Sequence, residues 1–174
     1  MPQYPNGRYV YEFLQFNQAL VEVEMGEIGF TSFDQNMAIG TKGLGSCSVV
    51  IIASQHGAIV AHIKLIREDD PSLYSGDNNA RRAMDQVRMM HDYYVNLGYF
   101  PSALTTVVCA TFMDNWVLSS QVNIMQSVLQ QMGYSPDIRT YPIPAVEGPG
   151  QGEVVVSSTG NGMMPMVYVK DSVI

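Results

Sequence analysis

A cysteine and a histidine that can act together in catalysis lie at the start of a predicted β-hairpin and in its second strand. Residues 48–53 are rich in β-branched side chains and predict a strand, and residues 58–65 predict its partner. If a turn at residues 55–56 joins the two strands, Cys47 becomes the diagonal neighbour of His62 on one face of the hairpin. A slip of one residue would place the two side chains on opposite faces. The pattern therefore predicts a Cys–His pair that depends on this register.

The chemistry that such a pair supports is acyl transfer. A neighbouring imidazolium stabilises the thiolate, which is the form of cysteine that attacks a carbonyl. Gly43 and Gly45 precede Cys47 and allow a tight turn, in which the backbone N–H groups of Gly45 and Ser46 can stabilise the oxyanion. We therefore expect attack on an amide or ester, an acyl-thioester intermediate and its hydrolysis.

Simpler interpretations of the same residues exist. A cysteine ahead of a β-branched run is often a small core residue, and a single histidine in a strand is often structural. The two glycines form no dinucleotide-binding motif, because Ser48 stands where a third glycine is needed. Cys109 lies inside an apolar run with no histidine near it, and we predict that it belongs to the core.

Composition and charge exclude several other classes of function. The chain has 174 residues, which suits one domain, and 9 Lys and Arg against 16 Asp and Glu give a net charge of −7. An acidic chain lacks the positive surface that phosphates require, so nucleic acid and anionic membranes are poor partners. Two cysteines and three histidines without metal-ligand spacing predict neither a metal site nor a cofactor.

Membrane insertion and secretion are not expected either. Residues 43–63 carry no charge and are long enough to span a bilayer, but the polar group at residues 54–57 divides them into two short apolar runs. A hairpin explains this pattern better than a spanning helix. The first residues show no basic segment followed by an apolar one, so we expect a cytoplasmic protein.

The order of the predicted elements indicates one mixed α/β domain. Residues 1–19 are tyrosine-rich and aperiodic and predict an extended or partly docked N-terminal arm, followed by the domain at residues 20–174. Gly98 and Gly133 are predicted to end the two helices. The predicted strands cover residues 21–25, 48–53, 58–65, 104–111, 137–143, 152–158 and 166–169, and the predicted helices cover residues 77–97 and 115–132.

Two segments of the hairpin resemble a known active site. Thr41-x-Gly43-Leu44-Gly45-Ser46-Cys47, the apolar strand and Gly57-Ala58-x-x-Ala61-His62 resemble the catalytic hairpin of the CheD family of chemoreceptor glutamine deamidases. That family shares its catalytic core with deamidating toxins of the cytotoxic necrotizing factor type. The resemblance implies a single-domain, mixed-sheet α/β sandwich. It also implies that Cys47 is the nucleophile, that His62 is the general base and acid, and that Thr41 orients His62.

The activity implied by the resemblance is that of a cysteine-dependent, chemotaxis-related protein-glutamine deamidase, which converts Gln to Glu and releases ammonia. Its partners would be a substrate protein with a reactive glutamine, chemoreceptor-like or unknown, and a regulatory protein. The family's late Gly-Gly and Arg-bearing motif is absent, so the substrate stays open.

Two other functions remain as alternatives. The first is a non-enzymatic adaptor on the same fold, suggested by Tyr4, Tyr9 and Tyr11 in the arm and by an uncharged outer face on the second helix. The second is a cysteine hydrolase that acts on small amides or esters. The uncharged face consists of Ser119, Ser120, Asn123, Gln126, Ser127, Gln130 and Gln131.

Overall fold

The computed structural model describes residues 10–64, 75–113, 115–116, 118–143, 152–160, 162–169 and 172–173. These residues form three helices and two β-sheets. The helices are α1 (Val10–Phe16), α2 (Ser75–Asn96) and α3 (Ser119–Gln131). The strands are β1 (Leu20–Glu22), β2 (Ile28–Ser32), β3 (Ala38–Thr41), β4 (Ser48–Ala53), β5 (Gly57–Ile63), β6 (Leu104–Phe112), β7 (Asn115–Trp116), β8 (Asp137–Pro142), β9 (Val154–Ser157), β10 (Met166–Val169) and β11 (Ser172–Val173).

The two sheets pack face to face, and helices cover their outer faces. The first sheet has the order β1-β3-β9-β10-β11; the second has the order β2-β5-β4-β6-β7, with β8 parallel to β6. One core lies between the sheets, a second lies between the second sheet and α2 and α3, and a third lies between the first sheet and α1. The predicted fold class, a mixed-sheet α/β sandwich, is confirmed.

The β4–β5 hairpin has the register that the sequence predicts. Val49 pairs with His62, Ala53 pairs with Ala58, and Ser54 N–H donates to the Gly57 carbonyl oxygen at 2.9 Å across the turn. Every residue of both strands is buried, because one face of the hairpin contacts the first sheet and the other contacts the helices. Burial on both faces accounts for the continuous apolar run in β4.

The end of β6 differs from the prediction. The sequence predicts a helix from residue 115, whereas α3 begins at Ser119 and the two residues of β7 pair with the end of β6. Met113 makes the turn between β6 and β7 with φ of 49°, so the chain reverses before it becomes helical. The pairing of these residues with β6 overrides their helical pattern.

The segment ahead of the first strand is helical and packs on the first sheet. Residues 10–16, predicted within an extended or partly docked arm, form α1, and the first nine residues of that arm lie outside the described part of the chain. Val10, Tyr11 and Leu14 lie on one side of α1 and are buried against the first sheet. Burial of this side stabilises a helix of only seven residues, which would be marginal in isolation.

Three further strands, β2, β3 and β11, were not predicted from the sequence. β3 lies parallel to β1 and antiparallel to β9, and it brings Thr41 to the edge of the inter-sheet core. Within the described residues, no helix has both the length and the apolar character needed to cross a bilayer.

Candidate active site

Cys47 follows a glycine-dependent turn that leads the chain into β4. The Cys47 N–H donates to the Leu44 carbonyl oxygen at 2.6 Å, and Gly43 and Gly45 adopt φ of 67° and 56°. A Cβ at either glycine would meet no atom within 4 Å, so the backbone conformation and not a lack of space requires glycine there. The turn places Cys47 one residue before β4, on the face that carries Val49.

The turn leaves two backbone amides available. Neither the Gly45 nor the Ser46 N–H donates to an acceptor in the described part of the chain, whereas the Cys47 N–H is used within the turn. Gly45 is exposed and Ser46 is half-buried. These two amides lie next to Cys47 and have no acceptor among the described residues, so an oxyanion role for them stays a prediction.

Thr41 and His62 meet across the inter-sheet core. Thr41 lies at the end of β3 in the first sheet, and His62 lies in β5 of the second. Thr41 Oγ1 and His62 Nδ1 share a hydrogen bond of 2.6 Å, and both side chains are buried. The contact therefore fixes the orientation of the imidazole ring from the opposite sheet.

The second ring nitrogen of His62 is buried without a hydrogen-bond partner among the described residues. When Nδ1–H donates to Thr41 Oγ1, Nε2 carries a free lone pair. In the other tautomer, Nε2–H would be a buried donor without an acceptor, which costs about 1–3 kcal/mol. The contact with Thr41 is compatible with both tautomers, and the lack of an acceptor at Nε2 among the described residues favours the one in which Nε2 can accept a proton.

Burial determines the charge of His62. Burial, with a smaller contribution from the positive charge of Lys64, lowers the pKa of His62 to about 4. The imidazole is therefore neutral at pH 7. The sequence suggested an imidazolium that stabilises a thiolate, whereas the buried ring is suited to take the proton from the thiol during the attack.

Cys47 and His62 belong to the same face of the β4–β5 hairpin. Val49 is the cross-strand partner of His62, and Cys47 precedes Val49 by two residues. A diagonal pair of this kind is separated by about 7–8 Å at the backbone, within reach of a thiol and an imidazole. The structure thus joins Thr41 to His62 by a hydrogen bond and assigns Cys47 to the hairpin face of His62 by register.

Tyr141 holds the backbone of Cys47, and it was not predicted from the sequence. The Tyr141 hydroxyl donates to the Cys47 carbonyl oxygen at 2.5 Å, and the side chain is fully buried. Burial raises the pKa of Tyr141 above its usual value, and the nearby Cys47 and Cys109 side chains add smaller contributions. The hydroxyl therefore stays protonated and can donate. The two residues are 94 positions apart, and a tyrosine in a strand gives no signal of such a contact.

Two other features could indicate a functional site: a group of metal-ligating side chains and the second cysteine, Cys109. Among the described residues, no three His, Cys, Asp or Glu side chains are grouped so that they could hold a metal ion. Cys109 lies in the core between the second sheet and the helices, as predicted, and burial raises its pKa to about 11. Its thiol is therefore neutral and shielded.

The two thiols are expected to differ in reactivity. A limiting dose of iodoacetamide near neutral pH should modify Cys47 before Cys109, because the Cys109 thiol is inside the core and resists ionisation. His62→Ala should slow the modification of Cys47, since it removes the base. Mass spectrometry of the digested protein measures both sites. Equal rates at the two cysteines, or a Cys47 rate that His62→Ala leaves unchanged, would contradict a Cys–His pair.

Comparisons with known proteins find a likeness among solved structures but none in sequence. No protein-family model matches the chain, and no curated protein matches it in sequence. Among solved structures, the chain is similar to the C-terminal domain of CNFy from Yersinia pseudotuberculosis, with a TM-score of 0.46 and 8% identity. The match covers 85% of this chain and 54% of that chain. The chain thus spans about half the length of the structure it matches.

Proposed function

We propose that this chain is a protein-glutamine deamidase in which Cys47 is the nucleophile and His62 is the general base and acid. The observation that carries the proposal is the hydrogen bond between Thr41 and His62 Nδ1, which leaves a buried, unpaired Nε2 on the hairpin face of Cys47. Unpaired polar atoms inside a protein are rare and call for a functional explanation. A proton transfer from the Cys47 thiol supplies one.

In each half of the reaction, formation of the thioester and its hydrolysis, His62 takes up one proton and then releases it. Cys47 Sγ attacks the carboxamide carbon of glutamine while His62 Nε2 takes the thiol proton, and the Gly45 and Ser46 amides donate to the oxyanion. The tetrahedral intermediate collapses, ammonia leaves with the proton from His62, and a thioester remains. His62 then takes a proton from water, which attacks the thioester. Glutamate is released, and the proton returns to the Cys47 sulfur.

Burial of the site supports glutamine as the reacting group. Cys47 is 7% exposed and His62 is 1% exposed, so the reacting atoms are accessible only to a slender group. Two methylene groups separate the carboxamide of glutamine from the backbone, so the carboxamide can reach a buried thiol while the substrate backbone stays at the surface. The motif's resemblance to the CheD family supports the same reaction. We extend the proposal to a substrate protein, chemoreceptor-like or unknown, and to a regulatory protein partner.

The adaptor alternative has less support from the contacts of α3. The Ser120 hydroxyl donates to Asp77 at 2.8 Å, and Gln131 accepts from Arg88 at 3.2 Å. Part of the uncharged face therefore holds α2 and is not free to bind a partner. An adaptor should keep its partner in a pull-down with the Cys47→Ala variant and should release no ammonia. A small-amide hydrolase should instead turn over free glutamine or simple esters.

The direct test is to incubate the protein with glutamine-bearing proteins and measure ammonia. Mass spectrometry of the digested substrate then locates the glutamine that has become glutamate. The expected result is release that requires Cys47. Release that persists in the Cys47→Ala variant would overturn the mechanism.

The hydrogen bond between Thr41 and His62 leads to a separate prediction about the rate of ammonia release. Thr41→Val keeps the shape of the side chain but removes the hydroxyl, so His62 Nδ1 loses its partner and the ring loses its orientation. We expect kcat for ammonia release to fall by at least about 10- to 100-fold, the loss seen when the group that orients a metal-binding imidazole is removed. Thr41→Ser restores the hydroxyl and should retain most of the activity. Equal rates for the Val and Ser variants would show that the hydrogen bond does not contribute.

A further inference from the structure

The β6–β7 turn lies next to the Cys47 turn, as the strand registers require. At Val108, β6 pairs with β4 on one side and with β8 on the other. At Thr111, β6 still pairs with β8, and its other partner is Trp116 of β7. Because a strand residue has one neighbour on each side, β7 lies on the β4 side of β6. β7 therefore lies in line with β4, beyond its N-terminal end, next to the turn that precedes Cys47.

This turn exposes large apolar side chains beside the candidate site. Phe112, Met113 and Trp116 are 53%, 80% and 36% exposed. Phe112 follows Ala110 by two residues and therefore lies on the β6 face that borders the inter-sheet core, the face of Cys47 and His62. A tight turn usually carries small polar residues, whereas exposed Trp, Phe and Met are typical of binding surfaces. We call Phe112 and Met113 the apolar tip; Trp116 pairs with Thr111 and therefore lies next to the tip on the other face of the strand pair.

Negative charge lies on the opposite side of the candidate site. Lys42 follows Thr41 and lines a cavity of about 610 Å³, near which the His62 N–H donates to the carbonyl oxygen of Glu27 at 3.0 Å. Three carboxylates line the same cavity, those of Glu22, Glu24 and Glu27. Two ammonium groups oppose these carboxylates, that of Lys42 in the lining and that of Lys64, whose side chain packs against Gly26. Three carboxylates against two ammonium groups leave a net negative charge, which favours positively charged groups, as the net charge of −7 does over longer distances.

We propose that the apolar tip binds a large apolar side chain next to the target glutamine, in a positively charged segment of the substrate protein. This inference rests on the proposed function, and it names the class of substrate. Only the glutamine side chain can enter the buried site, so the residues around it must lie on the surface that surrounds Cys47. On one side that surface is apolar, and on the other side it is acidic. A segment with both features is complementary to it.

Trp116 provides the measurement, because it is the only tryptophan in the chain. The Cys47→Ala variant, which binds without turnover, is titrated with three tryptophan-free peptides while Trp116 emission is followed. The first peptide carries Leu next to Gln, with two Lys further out; the second replaces Leu with Ser, and the third replaces both Lys with Glu. We expect the first peptide to bind at least about fivefold more tightly than either other peptide.

Variants of the tip identify the surface that binds. Phe112→Ser and Met113→Ser should each remove the preference for the first peptide over the second. Met113 is so exposed that its replacement should leave the thermal unfolding temperature unchanged. Met89→Ser is the matched control, since Met89 is 72% exposed on α2, away from the tip, and the preference should persist.

The outcomes separate this inference from the proposed function. Equal binding of the first two peptides, or the same effect of Met113→Ser and Met89→Ser, overturns the apolar tip as the binding surface. If the wild type releases ammonia from all three peptides at one rate, the deamidase proposal stands and the inference fails. If the tip-dependent preference is found but no peptide releases ammonia, the inference stands and the deamidase proposal fails.

Discussion

Cys47→Ala is expected to reduce ammonia release from a substrate protein by at least about a thousandfold, because the covalent route is lost entirely. His62→Gln should produce a loss of similar size, since the two residues act as one unit and their effects do not add. The double variant should therefore be no slower than either single variant. Ammonia release and the conversion of Gln to Glu in the substrate are measured together.

Cys109→Ala is the matched control for this series. Cys109 is the other cysteine of the chain and lies in the core between the second sheet and the helices. Its replacement should leave kcat within about a factor of two of the wild type once the protein is folded, because it contacts no reacting group. A loss at Cys109 as large as that at Cys47 would contradict the assignment of the nucleophile.

The burial of His62 should make the stability of the protein depend on pH. His62 has a pKa of about 4 in the folded chain, against about 6.5 for an exposed histidine. Between these values the unfolded chain binds the proton and the folded chain does not, so protonation favours unfolding. The contribution of His62 to stability is therefore fully present above pH 6.5. It is lost progressively as the pH falls towards 4.

The size of this effect follows from the shift in pKa. Between pH 7.5 and pH 4.5, the free energy of unfolding of the wild type should fall by about 2 to 3 kcal/mol more than that of His62→Gln. Urea unfolding of both proteins at both pH values measures the difference, and the shared carboxylates cancel in the comparison. Parallel losses in the two proteins would show that His62 is not buried as a neutral ring.

Local sequence was sufficient to predict the hairpin and the residue pair that it carries. β-branched residues on both sides of a short polar turn define β4 and β5, and the length of the turn fixes the pairing of Val49 with His62. The same kind of local information predicted α2 and its end, where Gly98 has φ of 84°. These features depend on residues close together in the chain.

The rest of the candidate site depends on contacts between distant residues. The motif's resemblance suggested that Thr41 orients His62, but the hydrogen bond exists only because two separate sheets pack face to face. Tyr141 reaches the Cys47 carbonyl from β8, and the placement of β7 beside the Cys47 turn follows from the pairing of β6 with three other strands. Local propensity does not encode these distances.

Charge state shows the same division between sequence and tertiary structure. The sequence determined that an imidazole and a thiol would share one face of a hairpin, and it suggested an ion pair between them. Only the tertiary structure decided that the imidazole is neutral, because the energy of a charge depends on how much water surrounding elements remove. The sequence supplied the reacting groups and the turn between their strands. Packing of the first sheet against the second decided how His62 is oriented and which form of it is present at pH 7.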